Sequence, residues 1–342
     1  RGDVVEMEGP QRRQIGVTRT RVADALAIRI EIRCETGHGG GETLATAATE
    51  NKRLSTGTKD CLPVGRPHAH AIMATLHVIL GAGGAIGTEL ARELAAQGRP
   101  VRLVSRRATA AGGMETLAAD LTDPAQTRAA VRGADIAYLV AGLPYRTAVW
   151  EELWPRVMRN VIEACRQEGA RLVFFDNVYM YGRVAGPMTE ATPYQPCSRK
   201  GEVRARLATQ LLEATRRGEL QSLIARSADF YGPECRTSVV NLRVVDRLAQ
   251  GASALWMMND RVPHSLTWTP DAARGVALLA NRADTWGQIW HLPTAAPALT
   301  GSEIVAAAAQ ALGVPARHRT VGRGLLRLLG LFNADLRAGL EM

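Results

Sequence analysis

From about residue 73 onward, short apolar runs alternate with longer segments whose apolar residues keep helical spacing. Residues 76–80 (LHVIL) form a β-branched-rich run that predicts a strand, followed by a glycine-rich turn over 81–87 and a helix to about Gln97, which Gly98 ends. Residues 101–104 and 116–118 predict a second and a third strand. Thr122-Asp123-Pro124 is a helix start with a capping side chain before proline, and residues 135–140 predict a fourth strand. The helix predicted over 149–168 places Val149, Leu153, Val157, Val161, Ile162 and Cys165 on one face, with Pro155 marking a kink or a late start. Residues 171–175 predict a fifth strand, 200–217 a helix and 222–225 a sixth strand. Thr269-Pro270-Asp271 and the capping box Thr300-Gly-Ser-Glu303 open two further helices. This succession predicts an α/β fold, a parallel sheet with helices on both faces.

Residues 1–72 break the pattern: no strand or helix period persists, and residues 45–60 are polar and threonine-rich. The segment reads as a disordered leader, or as upstream sequence translated in frame ahead of a natural start at Met73. The chain stops inside helical sequence at Met342, so a missing C-terminal piece is expected.

Composition narrows the classes. The 342 residues are 46% hydrophobic and 22% charged, ordinary for a globular protein. The formal charge of +9 is dispersed, with no run of five like charges, which argues against nucleic acid as a partner. The apolar run at 69–87 is interrupted by His and Gly and makes a poor membrane span, so no membrane partner is expected. Five cysteines without a C-x-x-C pair suit a reduced, cytoplasmic location and no zinc site, and nothing near His68 and His70 completes a metal set.

The turn Gly81-Ala82-Gly83-Gly84-Ala85-Ile86-Gly87 fits G-x-x-G-x-x-G, between a strand and a helix. Glycine there allows a tight turn, close approach of a pyrophosphate and close helix–strand packing, while the helix N-terminus offers free N–H groups to phosphate. After the second strand stand Ser105-Arg106-Arg107, with no carboxylate to hold a ribose 2′-hydroxyl. Arg106 instead suits a 2′-phosphate, which tilts the expected cofactor from NAD towards NADP. By fold analogy, Asp120 and Leu121 flank the adenine, and Ala141 and Gly142 lie on the nicotinamide-ribose side.

With these residues, Phe174-Phe-Asp-Asn-Val-Tyr-Met-Tyr-Gly182, Arg226-Ser-Ala-Asp-Phe-Tyr-Gly-Pro233 and Asp271 before an alanine-rich helix, the chain over about 75–340 resembles the extended and atypical short-chain dehydrogenase/reductases, the NAD-dependent epimerase/dehydratase family. The resemblance implies a Rossmann doubly wound parallel sheet over about 75–227. It also implies a smaller substrate-binding lobe from about 183–197, 228–268 and 288–342, and a homodimer built on the two long helices. In that family a Tyr and a Lys four residues later share a helix face beside a Ser or Thr after strand five. The Lys holds the nicotinamide ribose, and the Tyr moves a proton as hydride passes to or from nicotinamide C4.

The match at the catalytic positions is partial. Lys200 aligns with the family's Lys, but Pro196 stands where the Tyr belongs and Asn177 where the Ser or Thr belongs, after Asp176. Lys200 is the only Lys among residues 73–342, against 30 Arg, which suggests a site that needs a compact ammonium. Tyr179 is the leading substitute acid, on the side of Asn177 if the segment stays extended. Tyr194 is the next candidate, and Tyr181 matches a structural Tyr-Gly. Trp256, Trp268, Trp286 and Trp290 fall near the expected lobe and read as core before ligand contact. Residues 325–332 read as a core or dimer helix. The expected activity is that of an NAD(P)-dependent oxidoreductase or epimerase on a small carbonyl, sugar or related substrate. The alternative is a non-catalytic NAD(P)-binding sensor that lost the Tyr-x-x-x-Lys chemistry.

Overall fold

The computed structural model describes residues 75–107, 112–233, 235–322 and Gly324. The segment 1–72, His68, His70, Met73 and the helix expected at 325–332 lie outside these residues.

The chain opens with β1 (His77–Leu80), α1 (Ala85–Ala96), β2 (Val101–Ser105), β3 (Glu115–Ala118), α2 (Pro124–Val131) and β4 (Ile136–Leu139). It continues through α3 (Thr147–Glu168), β5 (Arg171–Asp176), a 3-10 turn (Tyr179–Tyr181), α4 (Arg199–Arg216) and β6 (Ser222–Arg226). Then follow β7 (Asp229–Tyr231), a π turn (Asn241–Val245), α5 (Asp246–Ala249), β8 (Ala254–Met257), β9 (Pro263–His264) and β10 (Leu266–Trp268). The last elements are α6 (Thr269–Asn281), a 3-10 turn (Ala283–Thr285), β11 (Ile289–His291), β12 (Leu299–Thr300), α7 (Gly301–Leu312) and β13 (His318–Val321).

Seven strands form one parallel sheet in the order β11-β6-β5-β4-β1-β2-β3. Every residue of β1 and β4 is buried, which is why both runs read as continuous apolar sequence rather than alternation. Ile86, Leu90 and Leu94 of α1 pack with Ala272, Val276 and Ala280 of α6 on one face. Trp150, Trp154, Val157 and Val161 of α3 and Val203, Leu207 and Leu211 of α4 cover the other. This is the doubly wound Rossmann arrangement.

Three expectations need correction. The sheet core does not end near 227: α6 packs on α1, and β11, expected in the substrate lobe, pairs with β6 as the sheet's edge. A three-residue strand carries too little periodicity to announce which sheet it joins. Helix α3 begins at Thr147 and runs unbroken through Pro155, because burial of Trp150, Trp154, Val157 and Val161 outweighs the one hydrogen bond that proline forfeits. The segment after β5 leaves the extended path and turns as a 3-10 helix, with Asn177 Oδ1 accepting the Tyr179 N–H at 3.1 Å.

Beyond the sheet, β7 pairs with β10, β9 with β12 and β8 with β13. Two small apolar clusters centre on Tyr231, Leu266, Ile304 and on Val244, Leu248, Val305. Trp256 and Trp268 pack against the first, Trp286 packs against the sheet, and Trp290 donates to the Thr285 carbonyl at 3.0 Å. Among the described residues, no helix is long and apolar enough to cross a membrane, and no three His, Cys, Asp or Glu side chains cluster as metal ligands would.

Candidate active site

The chain leaves β1 for β2 and β3 on one side, then returns to β4 on the other. That reversal opens a crevice at the carboxyl ends of β1 and β4, where open α/β sheets bind ligands. The glycine turn lines it. Gly81 has φ +106°, and a Cβ there would sit 2.4 Å from the Ala141 Cα; a Cβ on Gly87 would sit 2.7 Å from the Gly81 carbonyl oxygen. These two glycines let the turn, α1 and the end of β4 close on one another. Gly83 and Gly84 are exposed at the mouth. Gly84 is the N-cap of α1 and no side chain caps this terminus, so the crevice meets a helix N-terminus open to an anion.

Arg106 and Arg107 are exposed just past β2. Asp120 is exposed past β3 and turned onto its own loop: its Oδ1 accepts the Thr122 N–H at 2.9 Å and the Thr122 hydroxyl at 2.8 Å. These hydrogen bonds hold its carboxyl below the ordinary range, with the charges of Arg106 and Arg156 adding to them. Leu121 is half-buried beside it, its carbonyl accepting from Asn160 Nδ2 at 3.0 Å. Ala141 and Gly142 follow β4, so the residues from Gly81 to Gly142 expected at the nucleotide fall at the carboxyl ends of β1 to β4, whereas Lys200, expected at the ribose, lies on α4.

Lys200 lies fully buried in the first turn of α4, which Ser198 caps through Gly201 N–H at 3.0 Å. A Cβ on Gly201 would come 2.6 Å from the Tyr179 carbonyl, so glycine lets α4 approach the 3-10 turn. The Lys200 ammonium sits over the ring of Tyr145, 4.0 Å from its centroid. Tyr145 Oη donates to Tyr179 Oη at 3.3 Å. Trp150 stacks on Tyr179 and meets Tyr145 edge-on. Burial pushes the Tyr179 phenol well above its ordinary value, with Tyr145 and Asp229 adding to the shift.

The other tyrosines serve a different group. Asp176 is buried, and its Oδ1 accepts from Arg204 Nε at 2.6 Å. Arg226 Nε lies 3.5 Å from Asp176 Oδ2, a charge contact rather than a hydrogen bond. Arg226 is fully buried and donates to Tyr181 Oη at 2.6 Å and to Tyr194 Oη. Tyr181 Oη also meets His291 Nε2 at 2.6 Å. Tyr194 is therefore engaged with Arg226, and Asp176 is the centre of a buried ion network. Sequence reasoning missed Arg204, Arg226 and Tyr145. The two arginines are lost among 39 in the chain, whereas Tyr145 had a signal, since it closely follows Ala141-Gly142 at the end of β4.

Residues 77–291 match the NAD dependent epimerase/dehydratase family. The chain belongs to this family. Membership makes it an NAD(P)-dependent enzyme by class and leaves its substrate open. It is similar to the dTDP-4-dehydrorhamnose reductase of Mycobacterium tuberculosis, 26% identical over 224 residues that make up 63% of this chain and 68% of that one. In fold it is similar to the dTDP-glucose 4,6-dehydratase of Streptomyces venezuelae with NAD bound (TM-score 0.63, 21% identity, 72% of this chain and 84% of that one). It is likewise similar to the UDP-glucose 4-epimerase of Thermus thermophilus in complex with NAD (TM-score 0.61, 20% identity, 78% of this chain and 99% of that one).

Proposed function

We propose that the protein is an NAD(P)-dependent oxidoreductase or epimerase that moves hydride between nicotinamide C4 and a carbonyl or carbinol carbon of a sugar-like substrate. The observation that supports this reading is the pairing of an uncapped α1 N-terminus behind Gly81–Gly87, at the end of β1, with a buried Lys200 ammonium set over Tyr145 in the loop after the neighbouring β4. The first fits a pyrophosphate, and the second fits the hydroxyls of the nicotinamide ribose. Bound there, the nicotinamide supplies or accepts hydride.

The protein's own residues do the rest. The backbone N–H groups at the start of α1 hold the pyrophosphate. Arg106, with no acidic neighbour at the end of β2, favours the 2′-phosphate of NADP. Lys200 fixes the ribose, and a phenol beside Lys200 exchanges the substrate's proton. The similarity to a dTDP-4-dehydrorhamnose reductase supports a nucleotide-linked keto sugar as a first substrate to try.

Fluorescence titration of NADPH and NADH on the full chain and on Lys200→Met tests the reading. Loss of the charged donor weakens binding roughly 10- to 100-fold, the equivalent of about 1.5–3 kcal/mol for a hydrogen bond to a charged group. Equal binding by both proteins removes Lys200 from the site. A second reading, a redox sensor without turnover, draws on Pro196 in place of the helix tyrosine. It predicts binding of both cofactor states with no oxidation of NADPH by dTDP-4-dehydrorhamnose or by a panel of other carbonyl compounds.

A further inference from the structure

We propose that Tyr145, from the loop after β4, is the proton donor and acceptor of this enzyme, replacing the tyrosine absent at Pro196, and that Tyr179 is its positioning partner. The proposal rests on the NAD(P) reading above. Chemistry at a carbonyl next to Lys200 needs one acid whose hydroxyl reaches the cleft. The chain has six tyrosines. Burial pushes the phenols of Tyr138, Tyr179 and Tyr181 upward, Tyr231 is buried in the lobe cluster, and Tyr194 is held by Arg226. Tyr145 differs from all of these. It is 36% exposed, at the carboxyl end of the strand that borders the cofactor crevice, with the Lys200 ammonium 4.0 Å from its ring centroid.

The groups acting on it divide by role. Lys200 brings a positive charge to the ring face, which favours negative charge developing on the phenol oxygen. Tyr179 brings a hydroxyl that burial keeps protonated. Asp229 and Arg204 act on that second phenol. Trp150 fixes both rings by an edge contact to one and a stack on the other.

In the reducing direction, a bound reduced nicotinamide would supply hydride to the carbonyl carbon. The C=O π pair moves to oxygen, and that oxygen takes the proton of Tyr145 Oη. The hydrogen bond between the two tyrosines then reverses, with Tyr179 Oη–H donating to the Tyr145 phenolate until solvent returns a proton. One hydride and one proton are consumed for each alcohol formed. Oxidation runs the same steps backwards.

Two readouts on the full chain test this. In a spectrophotometric titration at 295 nm, with the fold followed by circular dichroism, one tyrosine ionises ahead of the others. That first step is lost in Tyr145→Phe, moves to higher pH in Lys200→Met and is unchanged in Tyr194→Phe. Its survival in Tyr145→Phe, or its loss in Tyr194→Phe, overturns the assignment. In turnover with NADPH and dTDP-4-dehydrorhamnose or another reactive carbonyl, Tyr145→Phe lowers kcat by about 10²- to 10⁴-fold at unchanged NADPH affinity. Full turnover by Tyr145→Phe overturns the proposal and leaves the oxidoreductase reading intact. A wild-type chain that binds no NADPH overturns that reading and this proposal with it.

Discussion

Replacing Asp176 by Asn tests the buried network most directly. The side chain of Asp176 has no solvent exposure, and its partners Arg204 and Arg226 are 4% and 0% exposed. Asparagine keeps the shape and removes the charge, leaving two guanidinium groups facing each other in an interior with no counter-ion between them. Removing one partner of a buried ion pair costs about 3–5 kcal/mol, because the remaining charge stays desolvated. For a domain of this size, each kcal/mol lowers Tm by roughly 2–4 °C, so a fall of about 6–20 °C is expected. Thermal and urea unfolding followed by circular dichroism measure it. A coupling cycle with Arg204→Met adds a sharper criterion: the double variant should be less damaged than the sum of the singles, since Met removes one of the uncompensated charges. A loss below about 1 kcal/mol, the worth of a surface pair, or strict additivity of the two variants would refute the view that this network is dry and coupled. The function is affected along with the stability. Asp176 Oδ1 also accepts the Asn177 N–H at 2.8 Å, and Asn177 in turn holds Tyr179, so the variant should loosen the turn beneath Lys200 as well.

Two further expectations concern the cofactor and pH. Arg106→Ala should weaken NADPH by about 10- to 100-fold, the worth of a charge-assisted hydrogen bond, and leave NADH unchanged; equal loss for both nucleotides would show that Arg106 does not read the 2′-phosphate. His77, buried against Tyr138 at 2.8 Å, is lowered to about 4 by burial, with Arg99 adding to the shift. The folded chain thus keeps this ring neutral while the unfolded chain protonates it below about 6.5, so its contribution is present above that pH and lost as pH falls towards 4. Urea unfolding of His77→Gln should show a flatter fall in stability over that window than the wild type; identical slopes would exclude His77 as the source.

The residues at the crevice between the ends of β1 and β4 were legible in the sequence because their signal is local. A glycine turn between an apolar tetrapeptide and a helix must place backbone N–H groups at the helix start, whatever else the chain does. The proton-donor end was less readable. The alignment of Tyr179 with Asn177 assumed an extended path, and a single hydrogen bond from the Asn177 side chain converts that path into a 3-10 turn. Lys200 stood out as the one lysine among residues 73–342, against 30 arginines, but its neighbour Tyr145 lies 55 positions earlier in the chain, and only the folded sheet brings the two together.

The sequence by itself determined the strand and helix succession from β1 to β6, the parallel sheet it builds and the glycine turn that opens α1, since each follows from hydrophobic period and glycine placement over a few residues. Tertiary structure alone decided that β11 closes the sheet, that Asp176 is buried between Arg204 and Arg226, and that the Lys200 ammonium faces Tyr145. These are pairings between distant segments, and their energies come from shared burial and charge, which no local pattern of residues encodes.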